Sequence, residues 1–266
     1  MLSNLLNIYH QLLSRPLFNL LIFLYDIVGD FGIAIIIFTV IVKLFMYPLT
    51  KKQLKSQQEM KKIQPKIEEL KKKYKGDQQT LIQKQSELYK KEGINPAAGC
   101  LPLLVQLPIF IAIFGVLRPG EGQIFTIDGE HLKFSQDALY NFQANIIKDN
   151  EVNRYFIGLV DLTKPNLILA ALAALGQFFY TKVLSPTGKQ KQTREKTKPK
   201  DDKEPEMMDL MGQQMKIMNY IFPAMTFFIG MSLPAGLPLY WVTNTIFTLI
   251  QHKVGAIDKK NEKPEQ

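Results

Sequence analysis

An apolar segment near the start of the chain reads Phe31-Gly-Ile-Ala-Ile-Ile-Ile-Phe-Thr-Val-Ile-Val-Lys43-Leu-Phe-Met-Tyr-Pro-Leu49. It is long and apolar enough to cross a bilayer as a helix, but Lys43 interrupts it. A charge in a spanning helix costs on the order of 3 kcal/mol, so such a residue usually faces protein or water and marks a functional site. The alternative is snorkelling toward Lys51 and Lys52 at the membrane surface, about 12 Å away, of which a lysine stem covers about half. The segment predicts a membrane helix with a polar site inside it.

The rest of the composition excludes several classes of protein. The chain has 266 residues, a formal charge of +9, one cysteine and three widely separated histidines, so neither a disulfide nor a metal site is predicted. No motif of a serine hydrolase, zinc protease or nucleotide-binding loop occurs, and away from their ends the predicted spans carry no Asp, Glu or His to act as a base. We therefore expect a protein that is not an enzyme and needs no cofactor. The first residues carry no early positive charge and make a poor signal peptide, which favours a bacterial plasma membrane over an organelle.

The alternation of apolar and charged segments predicts an all-α membrane protein with five transmembrane helices, an extracytoplasmic interfacial helix and a cytoplasmic helical hairpin. The hairpin prediction rests on an apolar stripe at helical spacing, in which Ile63, Ile67 and Leu70 recur before a turn at Gly76-Asp77 and Leu81 and Leu88 follow it. The predicted parts are an extracytoplasmic N-terminal segment with the interfacial helix (1–29), transmembrane helix 1 (30–50), the hairpin (51–94), transmembrane helix 2 (95–117), an extracytoplasmic loop (118–164), transmembrane helix 3 (165–184), a cytoplasmic linker (185–210), transmembrane helices 4 and 5 (211–254) and a cytoplasmic tail (255–266).

The distribution of lysine and arginine predicts the orientation. The hairpin together with residues 185–216 and 251–266 carries twenty-five Lys and Arg, against six in the segments predicted to lie on the other side. Loops rich in these residues stay in the cytoplasm, which places the N-terminus outside and the C-terminus in the cytoplasm. The basic hairpin reads as a solvated face near anionic headgroups, and ribosomal RNA is a second candidate partner.

Few polar side chains lie inside the predicted spans, and we assign them to one hydrated cavity. Thr39 and Tyr47 stand four residues either side of Lys43, so a continuous helix would place all three on one face. Each threonine has an alternative to a role in the cavity, since its hydroxyl can donate to a backbone carbonyl of its own helix. For the glutamines the alternative is a hydrogen bond that joins two helices. Trp241 is either a substrate-facing aromatic or an interfacial anchor. The candidate groove residues are Lys43, Thr39, Tyr47, Gln106, Gln177, Asn244 and Thr245.

Two long stretches resemble the YidC/Oxa/Alb family of membrane protein insertases. The first is Asn95-Pro-Ala-Ala-Gly-Cys-Leu-Pro-Leu-Leu-Val-Gln-Leu-Pro-Ile-Phe-Ile-Ala-Ile-Phe-Gly-Val-Leu-Arg118, similar to the family's second core helix. The second is Leu233-Pro-Ala-Gly-Leu-Pro-Leu-Tyr-Trp-Val-Thr-Asn-Thr-Ile-Phe-Thr-Leu-Ile-Gln251, similar to its last helix. Shorter matches lie in the first span, the hairpin and the segment Tyr155-Phe-Ile-Gly-Leu-Val-Asp161. One departure is that Lys43 stands where bacterial members typically carry an arginine. The positive charge is kept, but the planar guanidinium group with its five N–H donors is not.

The resemblance implies insertion and folding of membrane proteins through a hydrophilic groove that is open to the cytoplasm and to lipid. The implied partners are nascent membrane proteins and the lipid bilayer, with the Sec translocon and the ribosome as further candidates. The rival hypothesis is a small-anion transporter or channel that uses Lys43 as its binding charge. A third hypothesis is a passive scaffold that tethers ribosomes through the basic segments.

Overall fold

The computed structural model describes residues 10–74, 76–95, 101–118, 124–144, 147, 150–184 and 220–261, and the chain is predominantly helical. The predicted linker at 185–210 and the first part of the predicted fourth span lie outside the described residues. A π-helical turn, His10–Ser14, precedes the first α-helix. The helices are α1 (Arg15–Val28), α2 (Phe31–Phe45), α3 (Tyr47–Lys73), α4 (Gln78–Lys91), α5 (Leu101–Leu117), α6 (Asn141–Ala144), α7 (Leu167–Leu184), α8 (Phe222–Gly230) and α9 (Gly236–Asn261), and the strands are β1 (Phe125–Asp128), β2 (His131–Phe134), β3 (Glu151–Asn153), β4 (Tyr155–Phe156) and β5 (Val160–Asp161).

The predicted first span does not form one straight helix. α2 ends at Phe45, α3 begins at Tyr47, and the two helices are bent by 66° at the break. Pro48 explains the break, because proline lacks the N–H that would bond to Leu44 and fits only the first turn of a new helix. The sequence placed Tyr47 and Lys43 on one continuous helix, whereas in the structure Lys43 lies in α2 and Tyr47 is the first residue of α3.

The described helices differ in length from the predicted spans. By length and composition, the helical segment Gln11–Val28, which joins most of the π-helical turn to α1, is the one described helix long and apolar enough to cross a membrane. The bent pair of α2 and α3 is a second only if the two helices form one span. The segment Gln11–Val28 falls within residues 1–29, for which the sequence predicted an interfacial helix, and its helical structure begins before Pro16. The five-span arrangement remains a prediction.

Strands in residues 118–164 are the main departure from an all-α fold. β1, β2 and β3 form an antiparallel sheet in which Asp128 pairs with His131 across a two-residue turn, and β4 pairs with β5. Gly129 is the first of the two turn residues and takes a positive φ of 57°, which glycine adopts without steric cost and which two-residue hairpin turns favour. The loop is therefore a small folded unit.

This folded loop packs on α1 and on the start of α2. The ring of Phe18 makes edge-to-face contacts with Phe125 and Phe134, at 5.5 Å between ring centroids in each case, and Phe31 contacts Phe125 in the same way. Asn19 binds the loop through its side chain, which donates to the Ala138 carbonyl at 3.0 Å and accepts from Tyr140 N at 2.7 Å. One face of α1, the predicted interfacial helix, is thus buried against protein.

The remaining helices meet in a bundle in which α9 contacts α2, α5 and α7, and α7 contacts α8. Small residues permit the close approaches. A Cβ on Gly176 would lie 3.4 Å from Thr245 Cγ2, and one on Gly230 would lie 3.2 Å from Ala170 Cβ. α3 and α4 form a separate helical hairpin, in which Ile63, Ile67 and Leu81 are buried.

Candidate functional site

Lys43 lies in the last turn of α2 and reaches across to α9. Its Nζ donates a hydrogen bond to Thr248 Oγ1 at 2.9 Å, and the Thr248 hydroxyl donates in turn to the Asn244 carbonyl at 2.8 Å. The ion pairs found within the described ranges do not include Lys43. Within the part of the chain that the structure describes, the ammonium group is therefore held by a neutral acceptor and not by a carboxylate.

α9 brings further polar groups to the same side of the bundle. Asn244, Thr248 and Gln251 stand at i, i+4 and i+7, so they share one helical face. The Asn244 Oδ1 atom and both polar side-chain atoms of Gln251 are buried without a hydrogen-bond partner in the described part of the chain. Buried polar atoms are almost always paired, and leaving one unpaired costs about 1–3 kcal/mol. This face is therefore suited to contact with water or with polar groups of another molecule.

Polarity changes along α2 and α9 in the same direction. The start of α9 lies beside the first half of α2, because a Cβ on Gly236 would lie 3.5 Å from Ile35 Cδ1. Further along both helices, Thr248 of α9 contacts Lys43 in the last turn of α2. The two helices therefore run parallel. The buried residues near the first contact are apolar, and those near the second are polar. The apolar set is Ile35, Phe38, Leu237, Leu239 and Tyr240, and the polar set on α9 is Thr245, Thr248 and Gln251.

The other candidate residues fall in different surroundings. Thr39 is fully buried one turn before Lys43. Its hydroxyl donates to the Ile35 carbonyl of the same helix at 2.6 Å, so Thr39 makes the hydrogen bond within its own helix that the sequence left open as the alternative to a groove role. Gln106 Nε2 donates to the buried Tyr240 hydroxyl at 2.5 Å and so links α5 to α9. Tyr47 is half-buried beyond the bend.

Two candidates lie near the contact between α7 and α9. Thr245 is buried against Gly176, and the neighbouring Gln177 is half-buried. Trp241 stacks on Phe110 of α5 with the ring planes 19° apart and the centroids at 5.7 Å, which favours a packing role for it. The structure thus joins Lys43 to α9 through Thr248, and it shows no direct bond between Lys43 and the other candidates among the residues it describes.

The candidate groove set does not include Thr248 or Gln251, although the spacing in the sequence already places Thr248 on one helical face with Asn244. The signal that could have found them is their spacing from Asn244, combined with the requirement of a buried ammonium group for an oxygen acceptor. Which acceptor Lys43 reaches depends on the packing of α2 on α9, which periodicity alone does not give.

Comparison with known proteins gives a consistent result. Residues 23–262 match the 60Kd inner membrane protein family. A protein of Fusobacterium nucleatum subsp. nucleatum named "Membrane protein insertase YidC" is 36% identical over 224 residues, which are 84% of this chain and 85% of that protein. A protein of the same name from Geobacter sulfurreducens is 32% identical over 246 residues, which are 91% of this chain but 37% of that protein.

A solved structure is also similar. It is titled "Active YidC insertase crystal structure with the first transmembrane domain resolved", and it matches with a TM-score of 0.51 and 30% sequence identity. The match covers 87% of this chain and 43% of the crystallised chain. The chain thus spans nearly the full length of one relative and less than half of the other two.

Proposed function

This chain belongs to the 60Kd inner membrane protein family, and from that membership we propose that it is a membrane protein insertase of the bacterial plasma membrane. Its substrates are nascent membrane proteins. It works without covalent catalysis, by lowering the barrier for a hydrophilic segment to enter the bilayer.

The observation that carries the mechanism is the hydrogen bond between Lys43 and Thr248 beside the unpaired polar atoms of Asn244 and Gln251. A substrate's hydrophilic tail would enter a groove at this polar face, which shortens its path through hydrocarbon. The substrate's apolar helix would meanwhile move into lipid along the groove wall. Burial of that helix supplies the driving force, at roughly 25 cal/mol per Å² of apolar surface.

The groove is further proposed to include Thr39, Tyr47, Gln106, Gln177 and Thr245. The N-terminus is proposed to lie outside and the C-terminus in the cytoplasm, as the lysine distribution indicates. The ribosome is a proposed partner at the basic hairpin, and the Sec translocon is a further proposed partner. Support for a partner at the hairpin comes from the cleft between α3 and α4, a space of about 390 Å³ that four lysines line together with two glutamates and two leucines: Lys66, Lys73, Lys84, Lys91, Glu69, Glu87, Leu70 and Leu88.

Site-specific crosslinking tests the groove. A photoreactive residue in place of Asn244 should crosslink the hydrophilic tail of a ribosome-stalled nascent membrane protein. Ile246 is the matched control, because it is 52% exposed on the opposite side of the same helix. Equal crosslinking of the tail from both positions would contradict a groove at the polar face.

One observation also suits the rival function. An ammonium group without a carboxylate partner in the described ion pairs could bind a small anion in transit. Uptake of small anions into proteoliposomes that contain only this protein and no nascent chain would favour the transporter. Insertion of a substrate by the same proteoliposomes, without anion uptake, would exclude it.

A further inference from the structure

The turn between β4 and β5 exposes two large apolar side chains. Ile157 is 62% exposed and Leu159 is 83% exposed, and they flank Gly158 at the end of the hairpin. The turn closes through a hydrogen bond from Leu159 N to the Phe156 carbonyl at 3.0 Å. We name Ile157 and Leu159 together the apolar tip.

The backbone of the apolar tip is strained. Ile157 has a φ of 52° and is the one residue other than glycine with a positive φ in the described part of the chain. Gly158 follows with a φ of 67°, so both central residues of the turn are left-handed, a conformation for which asparagine, aspartate and glycine are strongly preferred. A β-branched residue there is a genuine outlier, and such strain is typically found where a side chain has a function.

The apolar tip is held rigidly at the start of α2. Asp30 uses both carboxylate oxygens: Oδ1 accepts from Ile33 N at 2.9 Å and caps the helix, and Oδ2 accepts from Ile157 N at 2.7 Å. The ring of Phe156 packs directly on Gly32, where no Cβ would fit. The N-terminal end of an apolar helix and the apolar tip therefore form one unit.

The base of the hairpin is fixed as well. Arg154 Nε lies 3.4 Å from Asp161 Oδ2, and both side chains are only 14% exposed. The Leu162 amide donates to the Arg154 carbonyl at 2.9 Å. The chain then enters α7, whose first residues, Leu167 and Ile168, are also largely exposed apolar side chains.

We infer that the apolar tip inserts into the acyl-chain boundary of the outer lipid leaflet and anchors the folded loop at a fixed depth. The inference uses one part of the proposed function, namely that α2 crosses the bilayer with its N-terminal end outside. The tip is held at the N-terminal end of α2, which on that premise lies at the outer bilayer surface, and the apolar start of α7 follows the same hairpin in the chain. Two side chains make a patch far smaller than the roughly 800 Å² that each partner buries in a stable protein interface, whereas interfacial insertion needs only a few apolar groups.

Depth-dependent quenching tests the inference. In the full chain with Cys100→Ala, Leu159→Cys carries an environment-sensitive fluorophore, and the protein is reconstituted in vesicles of phosphatidylglycerol and phosphatidylethanolamine. Ser135→Cys is the matched control, because it is an exposed residue of the same loop on a different turn. We expect lipids brominated near the top of the acyl chain to quench the label at 159 several-fold more than the label at 135, and aqueous iodide to show the reverse order.

Equal iodide quenching at the two positions would overturn the inference. So would a label at 159 that becomes shielded only after another membrane protein is added, since the occupant would then be protein. Ile157→Asn separates the strain from the lipid contact: it suits the left-handed turn, so the unfolding temperature in detergent should not fall, while the label at 159 should become more accessible to iodide. Substrate insertion by the same vesicles is measured separately, so failure of the tip to enter lipid is distinguishable from failure of the insertase function.

Discussion

The charge of Lys43 should determine how well substrates with acidic translocated segments are inserted. The perturbation is a series of three variants, Lys43→Arg, Lys43→Ala and Lys43→Glu, compared with the natural chain. Each is assayed with two substrates that differ only in their hydrophilic tails, one acidic and one uncharged.

The magnitude follows from the position of the ammonium group. A carboxylate about 8 Å from Lys43, in surroundings with an effective dielectric constant of about 20, is attracted by about 2 kcal/mol, which corresponds to about thirtyfold in occupancy. Lys43 is only half-buried, so screening by salt reduces this value. We expect Lys43→Ala to lower insertion of the acidic-tailed substrate by roughly five- to thirtyfold and Lys43→Glu to lower it further. Lys43→Arg should retain insertion, and the neutral tail should be affected by less than about twofold.

A loss of fold would not explain such a result. Lys43→Ala removes one hydrogen bond to a charged group, worth about 1.5–3 kcal/mol, but also removes a charge whose placement in a membrane helix costs on the order of 3 kcal/mol. The two effects nearly cancel, so the variant should remain folded. Thr248→Val is the matched control, since it removes the acceptor at 2.9 Å and keeps the charge, and it should impair acidic tails much less than Lys43→Ala.

The assay is insertion into proteoliposomes, scored by protease protection of the tail. Equal efficiency of the natural chain, Lys43→Ala and Lys43→Glu with the acidic tail would refute the reasoning. If Lys43 only snorkels to the surface, Lys43→Ala should be harmless with both tails, because the desolvation cost disappears with the charge.

Three further predictions concern the folded loop, the contact between α5 and α9, and the helical hairpin. Gly32→Ala should destabilise the protein by about 1–3 kcal/mol, because the new Cβ would lie within 2.7 Å of Phe156 Cβ. Gly115→Ala is the control and should not destabilise the protein, because the space around its Cβ is open. The measurement is the free energy of unfolding of both variants in detergent. Trp241→Phe should keep insertion within about threefold of the natural chain, because a smaller ring can still stack on Phe110, and complete loss at normal expression would instead indicate a substrate contact. Asp77 caps α4 by accepting from Thr80 N. Hydrogen bonds from the Thr80 side chain and from the Thr80 backbone N–H lower the pKa of the Asp77 carboxyl, so the cap is complete at neutral pH and weakens as pH falls through that lowered pKa. Amide exchange at Thr80 should show this loss in the natural chain and not in Asp77→Asn, and an identical pH dependence in both would argue against it.

Local sequence patterns gave the parts of the fold that depend on one helix at a time. Ile63 and Ile67, which helical spacing predicted to share one apolar face, are buried in the α3–α4 hairpin. Asp77, just before α4, accepts a hydrogen bond from Thr80 N, as expected of an aspartate at a helix N-cap. The bend at Met46 was missed, although Pro48 carried its signal. The strands were missed because they are two to four residues long, too short for alternation to be recognised.

The candidate site was harder to predict because it depends on which helices are neighbours. Spacing placed Asn244 and Thr245 next to each other on α9 but could not say which of them faces Lys43. In the structure the partner is Thr248, one turn further along the helix. Thr39 and Gln106 make hydrogen bonds that satisfy the fold itself, so their polarity alone was not evidence of a groove.

The parallel change of polarity along α2 and α9 would give insertion a direction. At the starting ends of both helices the bundle is closed by packed apolar side chains, and the folded loop is tied to it there, since the Ala235 and Gly236 amides donate to the carbonyls of Lys164 and Leu162. A hydrophilic tail that entered from this end would have to break those contacts. At the other end, Lys43 and the polar face of α9 offer partners to the same tail at no such cost. A groove at this site would therefore be open toward the side where the basic hairpin lies and closed toward the folded loop, and the protein could admit a tail from the cytoplasm without opening a path across the membrane.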